Sequence, residues 1–286
     1  MKIAYTLNGL LGGLTGKNSS GSTRDDQLLV LKYVSNLLQK YIVPYNDVDF
    51  FIFSWHTDFK DEFEQYVTPK KLKLIPQIDF KIPEHLRRIQ APAINGVETF
   101  TDGNINRVIT HKSRWYGFKK VMRLVNSYER THNFKYDLVV NARLDLCWNK
   151  PFDFESLNPN KFHIPIHPDM STYGWPDGGV HTNIEMLDHV FASRSDWMGG
   201  FSSMFDFLDE YTLPGQCPQW KTISHHFLMV WHLRKLGLLR EDIIEKSFAT
   251  WHEGNPNIIG GSKESNIDYD IFRYRQLSRE EVINYE

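Results

Sequence analysis

Two near-continuous apolar runs, Val48-Asp49-Phe50-Phe51-Ile52-Phe53 and Tyr136-Asp137-Leu138-Val139-Val140-Asn141, constrain this chain more than any other feature. Both have strand length, and neither alternates polar with apolar residues. A strand's side chains point to opposite faces in turn, so a strand without alternation must bury both faces. A parallel sheet covered by helices on either side meets that condition. The intervening segments supply the helices. Ser22 or Thr23 can cap a helix over 24–43, in which Leu28, Leu31, Val34, Leu38 and Tyr41 recur at three and four residues; Pro44 ends it. Arg114 to Arg130 repeats the pattern with Trp115, Phe118, Met122 and Val125. Lys2–Leu7, Phe162–Ile166, His189–Ser193 and Lys246–Trp251 read as further strands. Asp196–Tyr211 and Thr222–Leu236 read as helices, the second stopped by Gly237. Residues 59–112 read as an irregular insertion, and the polar residues 261–286 as a surface tail. The order predicts one α/β domain over 1–286 with a mostly parallel, Rossmann-like central sheet flanked by helices. About 1–150 forms its ligand-binding half and about 151–260 the other.

Charge narrows the function. Lys plus Arg number 33 and Asp plus Glu 35 in 286 residues, a net charge of −2. A general nucleic-acid binder carries a basic excess, so no nucleic-acid partner is expected. No run of about 18 apolar residues exists, so no transmembrane segment is expected. Cys147 and Cys217 lie in no zinc-binding spacing and read as reduced thiols. With no leader-like apolar run at the start, the expected location is cytoplasmic. Eight tryptophans and 14% aromatic residues hint at ring stacking.

In open α/β sheets ligands sit beyond the carboxyl ends of the strands. That rule gathers three loops. The first, Asn8–Ser22, has glycines at 9, 12, 13, 16 and 21 but lacks the spacing of a P-loop or a dinucleotide fingerprint. It offers Lys17, and the helix after it Arg24, to neutralise a diphosphate; a solvated loop is the plainer reading. The second, Ser54-Trp55-His56-Thr57-Asp58, sets an aromatic, an imidazole and a carboxylate where a base and ribose could bind, or else a Trp plug at the core edge. In the third, Arg143 and Asp145 lie two apart at a strand end and so project to one side. A carboxylate that holds a divalent metal beside an arginine suits a leaving diphosphate, and a structural ion pair is the alternative.

The runs Val48 to Trp55 and Tyr136 to Asp145 resemble paired motifs of GT-A-type glycosyltransferases. The likeness is to enzymes of the WavE lipopolysaccharide type and to polysaccharide-building relatives in bacteria and large viruses. The helix from Arg114-Trp115-Tyr116 to Glu129 fits the same pattern. The resemblance implies a GT-A-like fold, a nucleotide-sugar donor, a glycan acceptor and a divalent metal, Mn or Mg. Asn8, Lys17, Arg24, Trp55, Arg114, Arg143 and Asp145 then form the donor-binding set. An R-x-D element stands where many GT-A enzymes have D-x-D. Asp145 would contact the metal or the donor, and His252 resembles the C-terminal metal-ligand histidine of several such enzymes.

An inverting transfer needs a base for the acceptor hydroxyl. Asp177, in the glycine- and aromatic-rich turn Tyr173–Val180, is the first candidate; Asp169, Glu185 and Asp188 are alternatives. Trp148, Trp175, Trp197 and Trp220 are candidates for sugar stacking. Two competing readings remain: a non-catalytic carbohydrate-binding protein and a metal-dependent hydrolase.

Overall fold

Alternate residues of each central strand enter different apolar layers, which is why these strands show no polar alternation. The computed structural model describes residues 1–12, 23–84, 102–166, 186–213, 215–216, 225–249, 268–271 and 279–284. Strand β1 (Ile3–Gly9) lies between β2 (Val48–Ser54) and β4 (Leu138–Arg143) and runs parallel to both, with Ile3 opposite Val48 and Leu138. Ile3, Tyr5, Leu7, Phe50, Ile52, Leu138 and Val140 join the layer under helix α1 (Arg24–Tyr41). Ala4, Phe51, Phe53 and Val139 join the opposite layer, under α3 (Asp102–His132).

Outside β2 lies β3 (Lys71–Leu74), whose exposed Lys71 and Lys73 keep a sheet edge soluble. Outside β4 lie β7 (Val190–Ser193), β6 (Phe162–Ile166) and β8 (Ile244–Ala249). The seven-stranded order is β3-β2-β1-β4-β7-β6-β8. Among the described residues, β7 alone runs against the others. Pro165, which has no N–H to donate, sits where the β6–β8 register shifts. The expected fold class therefore holds: an α/β chain with a mostly parallel sheet flanked by helices, compatible with a Rossmann-like fold.

Local chemistry explains the helix ends. Thr23 caps α1, and its hydroxyl and the Asp26 carboxylate exchange bonds with each other's backbone N–H in a capping box. Pro44 follows in a short 3-10 turn, Val43–Tyr45. On the other face, Trp115 stacks on Phe191 at 6.2 Å and meets Phe201 edge-on at 5.6 Å. The remaining helices, α4 (Ser195–Phe201), α5 (Met204–Tyr211) and α6 (His225–Lys235), cover this side. No helix among the described residues is long and apolar enough to cross a membrane.

Three expectations need correction. The segment 59–112 contains α2 (Lys60–Tyr66), β3 and the first turns of α3. Its elements are short or polar, so periodicity barely marks them; Gly103 and Asn104 are weak helix formers. The helix expected over 196–211 is two helices, broken at Ser202–Ser203, whose hydroxyls bond back to the Gly199 and Gly200 carbonyls. The tail is not all surface. Strand β9 (Tyr269–Ile271) pairs with β5 (Leu146–Trp148), and α7 (Arg279–Ile283) follows. Tyr269 is fully buried, its ring 5.9 Å from that of Trp148.

That burial is measurable. Tyr269→Ala deletes an aromatic ring from the core and is expected to cost about 3–5 kcal/mol in urea unfolding. A loss under about 1 kcal/mol would mean that the tail contributes no core.

Candidate functional site

The chain leaves β1 for β2 and β3, then returns to form β4 on the other side of β1. A crevice opens at such a switch point, beyond the carboxyl ends of the two strands. Polar residues meet there in register: Thr6 faces Asn141, and Asn8 faces Arg143. By strand alternation all four belong to the α3 side. Asn141 Nδ2 donates to Thr6 Oγ1 at 2.9 Å and to Asn8 Oδ1 at 2.8 Å. Thr6 Oγ1 donates to the Val140 carbonyl.

Arg114 of α3 completes this network from above. It is 7% exposed. Its guanidinium donates to Asn8 Oδ1 at 2.8 Å, Asn141 Oδ1 at 3.1 Å and the Asp188 carbonyl at 2.9 Å. Its own carbonyl accepts from Asn8 Nδ2 at 3.3 Å. Burial lowers the Arg114 pKa to about 10, against the attraction of Asp188, so the side chain stays charged at neutral pH. Gly117, one turn on, leaves room for this: a Cβ there would stand 2.9 Å from Asn8 Nδ2.

Two carboxylates offset two arginines. Arg143 holds Asp145 with a bidentate fork, Nε to Oδ1 at 2.8 Å and Nη2 to Oδ2 at 2.9 Å. Asp188 Oδ2 lies 3.6 Å from Arg143 Nη1 and 3.7 Å from Arg114 Nε. The His189 ring lies 4.0 Å from Asp188 and 3.4 Å from the Tyr269 hydroxyl. The side chains of Asp145 and Asp188 are 8% and 11% exposed, and that of Arg143 is 22%. Arg143 is therefore the most accessible member of a quartet with no net charge.

The structure brings Asn8, Arg114, Arg143 and Asp145 together and revises the role expected of several residues. Arg143 and Asp145 face each other. Asn8 is 1% exposed and spends both ends of its amide inside the protein, so it supports the site and cannot hold a donor in this arrangement. Trp55 is 5% exposed, stacked on Tyr116 at 5.5 Å and edge-on to Phe53 at 5.0 Å. It is the core plug, and no base can stack on it here. Arg24 is committed to Glu62 and Asp58 and lies over Phe59, a clamp between α1 and α2. Trp148 is fully buried and donates to the Tyr5 hydroxyl at 2.8 Å, and Trp197 is half-buried beneath Arg194. Lys17, Asp169, Trp175, Asp177, Glu185, Trp220 and His252 lie outside the described residues.

Asn141, and Asp188 as an ion-pair partner, were not expected from the sequence. The signal for Asn141 is a polar residue closing an otherwise apolar strand, matched by Thr6 and Asn8 in β1. Asp188 carries no such signal, because the loop before β7 brings it in. No group of three or more metal-ligating side chains occurs among the described residues. Both oxygens of Asp145 accept from Arg143.

His56 anchors the start of the β1 loop by accepting the Leu11 N–H on Nε2 at 3.1 Å. Burial lowers its pKa below the ordinary 6.5, opposed by Asp58. The unfolded chain then takes up the proton first, so stability is complete above pH 6.5 and falls as pH drops through the depressed value. Urea midpoints are expected to fall from pH 7.5 to pH 5, and to fall less in His56→Gln. An equal fall in both would remove His56 from the acid response. Separately, Arg114→Met strands Asp188 and two amides and is expected to cost about 3–5 kcal/mol at pH 7. A near-neutral change would deny the network its structural role.

A family model described as a domain of unknown function (DUF7796) matches residues 115–177, about a fifth of the chain. The match spans the second half of α3, β4 and the Arg143–Asp145 turn, and reaches Asp177. No curated protein matches the chain.

Proposed function

We propose that this protein is a glycosyltransferase that moves a sugar from a nucleoside-diphosphate sugar to a glycan or polysaccharide acceptor. The donor diphosphate lies at the β1–β4 switch point. The observation that carries the reading is the position of Arg143. It is a partly exposed guanidinium at the carboxyl end of β4, with the buried charge of Arg114 behind it. Phosphate oxygens accept from the same planar fork that now grips Asp145.

In the transfer, the bond between the sugar anomeric carbon and the diphosphate oxygen breaks, and its electron pair leaves with the diphosphate. The acceptor hydroxyl oxygen bonds to that carbon and gives up its proton to a base. Arg143 offsets the charge that develops on the leaving group. Asp177 is the proposed base. Asp188 is the weaker candidate, because its carboxylate is engaged with two guanidinium groups. Mn²⁺ or Mg²⁺ belongs to this reading only as a companion of the donor diphosphate, and the roles assigned here use side chains alone. A purely carbohydrate-binding role draws no support from the described tryptophans, none of which is exposed.

A thermal-shift panel of nucleoside diphosphates and their sugar conjugates, each with and without Mn²⁺, tests the reading. At about 100 times its dissociation constant a true donor stabilises by about 2.7 kcal/mol. Arg143→Lys keeps the charge but loses the fork, and is expected to weaken donor binding about tenfold. Mn²⁺ alone is expected to give no shift. Stabilisation by glycans with none by any nucleotide would favour the carbohydrate-binding alternative. A strong shift with metal alone would favour the hydrolase.

A further inference from the structure

The opposite end of the sheet carries a charged concavity, about 600 Å³ in volume, which the proposed transfer does not use. Helix α3 connects the two ends. Arg114 stands above the switch point, and Arg123 and Arg130 lie about 14 and 24 Å further along the axis at 1.5 Å per residue. Arg123, Asn126 and Arg130 follow at three and four residues and so share one helix face. They line the cleft with Lys135, from the loop entering β4, and with Ser195 and Asp196, from the start of α4.

The charges in this cleft do not cancel. Lys135 is paired with the buried carboxylate of Glu129 at 2.7 Å, and Asp196 with Arg194 at 2.6 Å. Arg123 and Arg130 have no ion-pair partner among the described residues. Ser195 is 3% exposed, and its hydroxyl has no hydrogen-bond partner among the described residues. Two uncompensated guanidinium groups on one face, in a concave site, attract an anion. The volume lies in the range of small-molecule sites and far exceeds what a single ion fills. Among the described residues no aromatic ring lines the cleft, so a nucleobase would find none of them to stack on.

We propose that this cleft binds a phosphorylated, non-aromatic small molecule, a sugar phosphate or an inorganic diphosphate, held by Arg123 and Arg130. Their planar forks suit phosphoryl oxygens, and Lys135 and the Asn126 amide lie within the same wall. The inference stands apart from the glycosyltransferase reading, because it uses none of the residues at the switch point.

The test is calorimetry with glucose 6-phosphate and with inorganic pyrophosphate on the wild type, Arg123→Gln/Arg130→Gln and Arg143→Gln. Both arginines of the double variant are exposed, so its fold should be kept, and circular dichroism checks this. The expected result is binding of at least one probe to the wild type, lost at least tenfold in the double variant, with glucose 6-phosphate binding changed less than twofold in Arg143→Gln. Tighter binding of glucose 6-phosphate would identify the sugar phosphate as the ligand; tighter pyrophosphate, the inorganic diphosphate. Absence of binding at millimolar probe, equal binding in the double variant, or loss confined to Arg143→Gln would each overturn the proposal. So would a nucleoside diphosphate that binds more tightly than both probes and is lost in the double variant.

Discussion

The buried guanidinium of Arg114 holds the carboxyl ends of β1 and β4 together. A cation taken out of water is costly unless each of its donors finds an acceptor. Here the acceptors come from three places far apart in the chain: Asn8 in β1, Asn141 in β4 and the Asp188 carbonyl before β7. Satisfying one side chain therefore fixes the height of α3 over the sheet. It also fixes the relative position of two strand ends and the path of the loop that delivers the second carboxylate. Gly117 permits the approach by leaving space for Asn8.

The apolar sheet and this polar network depend on each other. Ile3, Tyr5 and Leu7 anchor β1 in the α1 layer, which commits Thr6 and Asn8 to the α3 layer, where Asn141 and Arg114 await them. A slip of one residue would exchange those faces and bury unsatisfied amides among leucines. Among the described residues, the charges of Arg114, Arg143, Asp145 and Asp188 at this end of the sheet sum to zero. On the proposed reading, a donor diphosphate competes with Asp145 for the Arg143 fork. That competition favours a ligand able to use the whole planar fork over a diffuse negative charge.

Much of this was legible in the chain. The non-alternating runs at 48–53 and 136–141 announced the doubly buried strands, and their order with the two amphipathic helices implied a parallel sheet with a crevice at its carboxyl edge. Arg143 and Asp145 could be read as a pair from their spacing, although Leu144 and Asp145 form a turn after β4 and do not extend the strand. Roles that depend on distant contacts were not legible. Nothing near Trp55 says that Tyr116 and Phe80 will cover it, and nothing near Arg24 says that Glu62 will claim it. Tyr269 sits in a polar stretch whose composition suggests surface, yet it completes the packing around Trp148. Local pattern fixes elements, whereas burial of a single side chain is decided by residues far away in sequence.

The central claim is that the crevice between β1 and β4 receives a nucleoside diphosphate. Amide hydrogen exchange, with and without a saturating nucleoside diphosphate, tests it without presuming a sugar, an acceptor or a metal. The account predicts slowed exchange at residues 9–12 and 141–146, with little change at 123–135 and 195–199. Slowed exchange confined to the latter segments, or no change at the strand ends under conditions where binding is saturated, would contradict it.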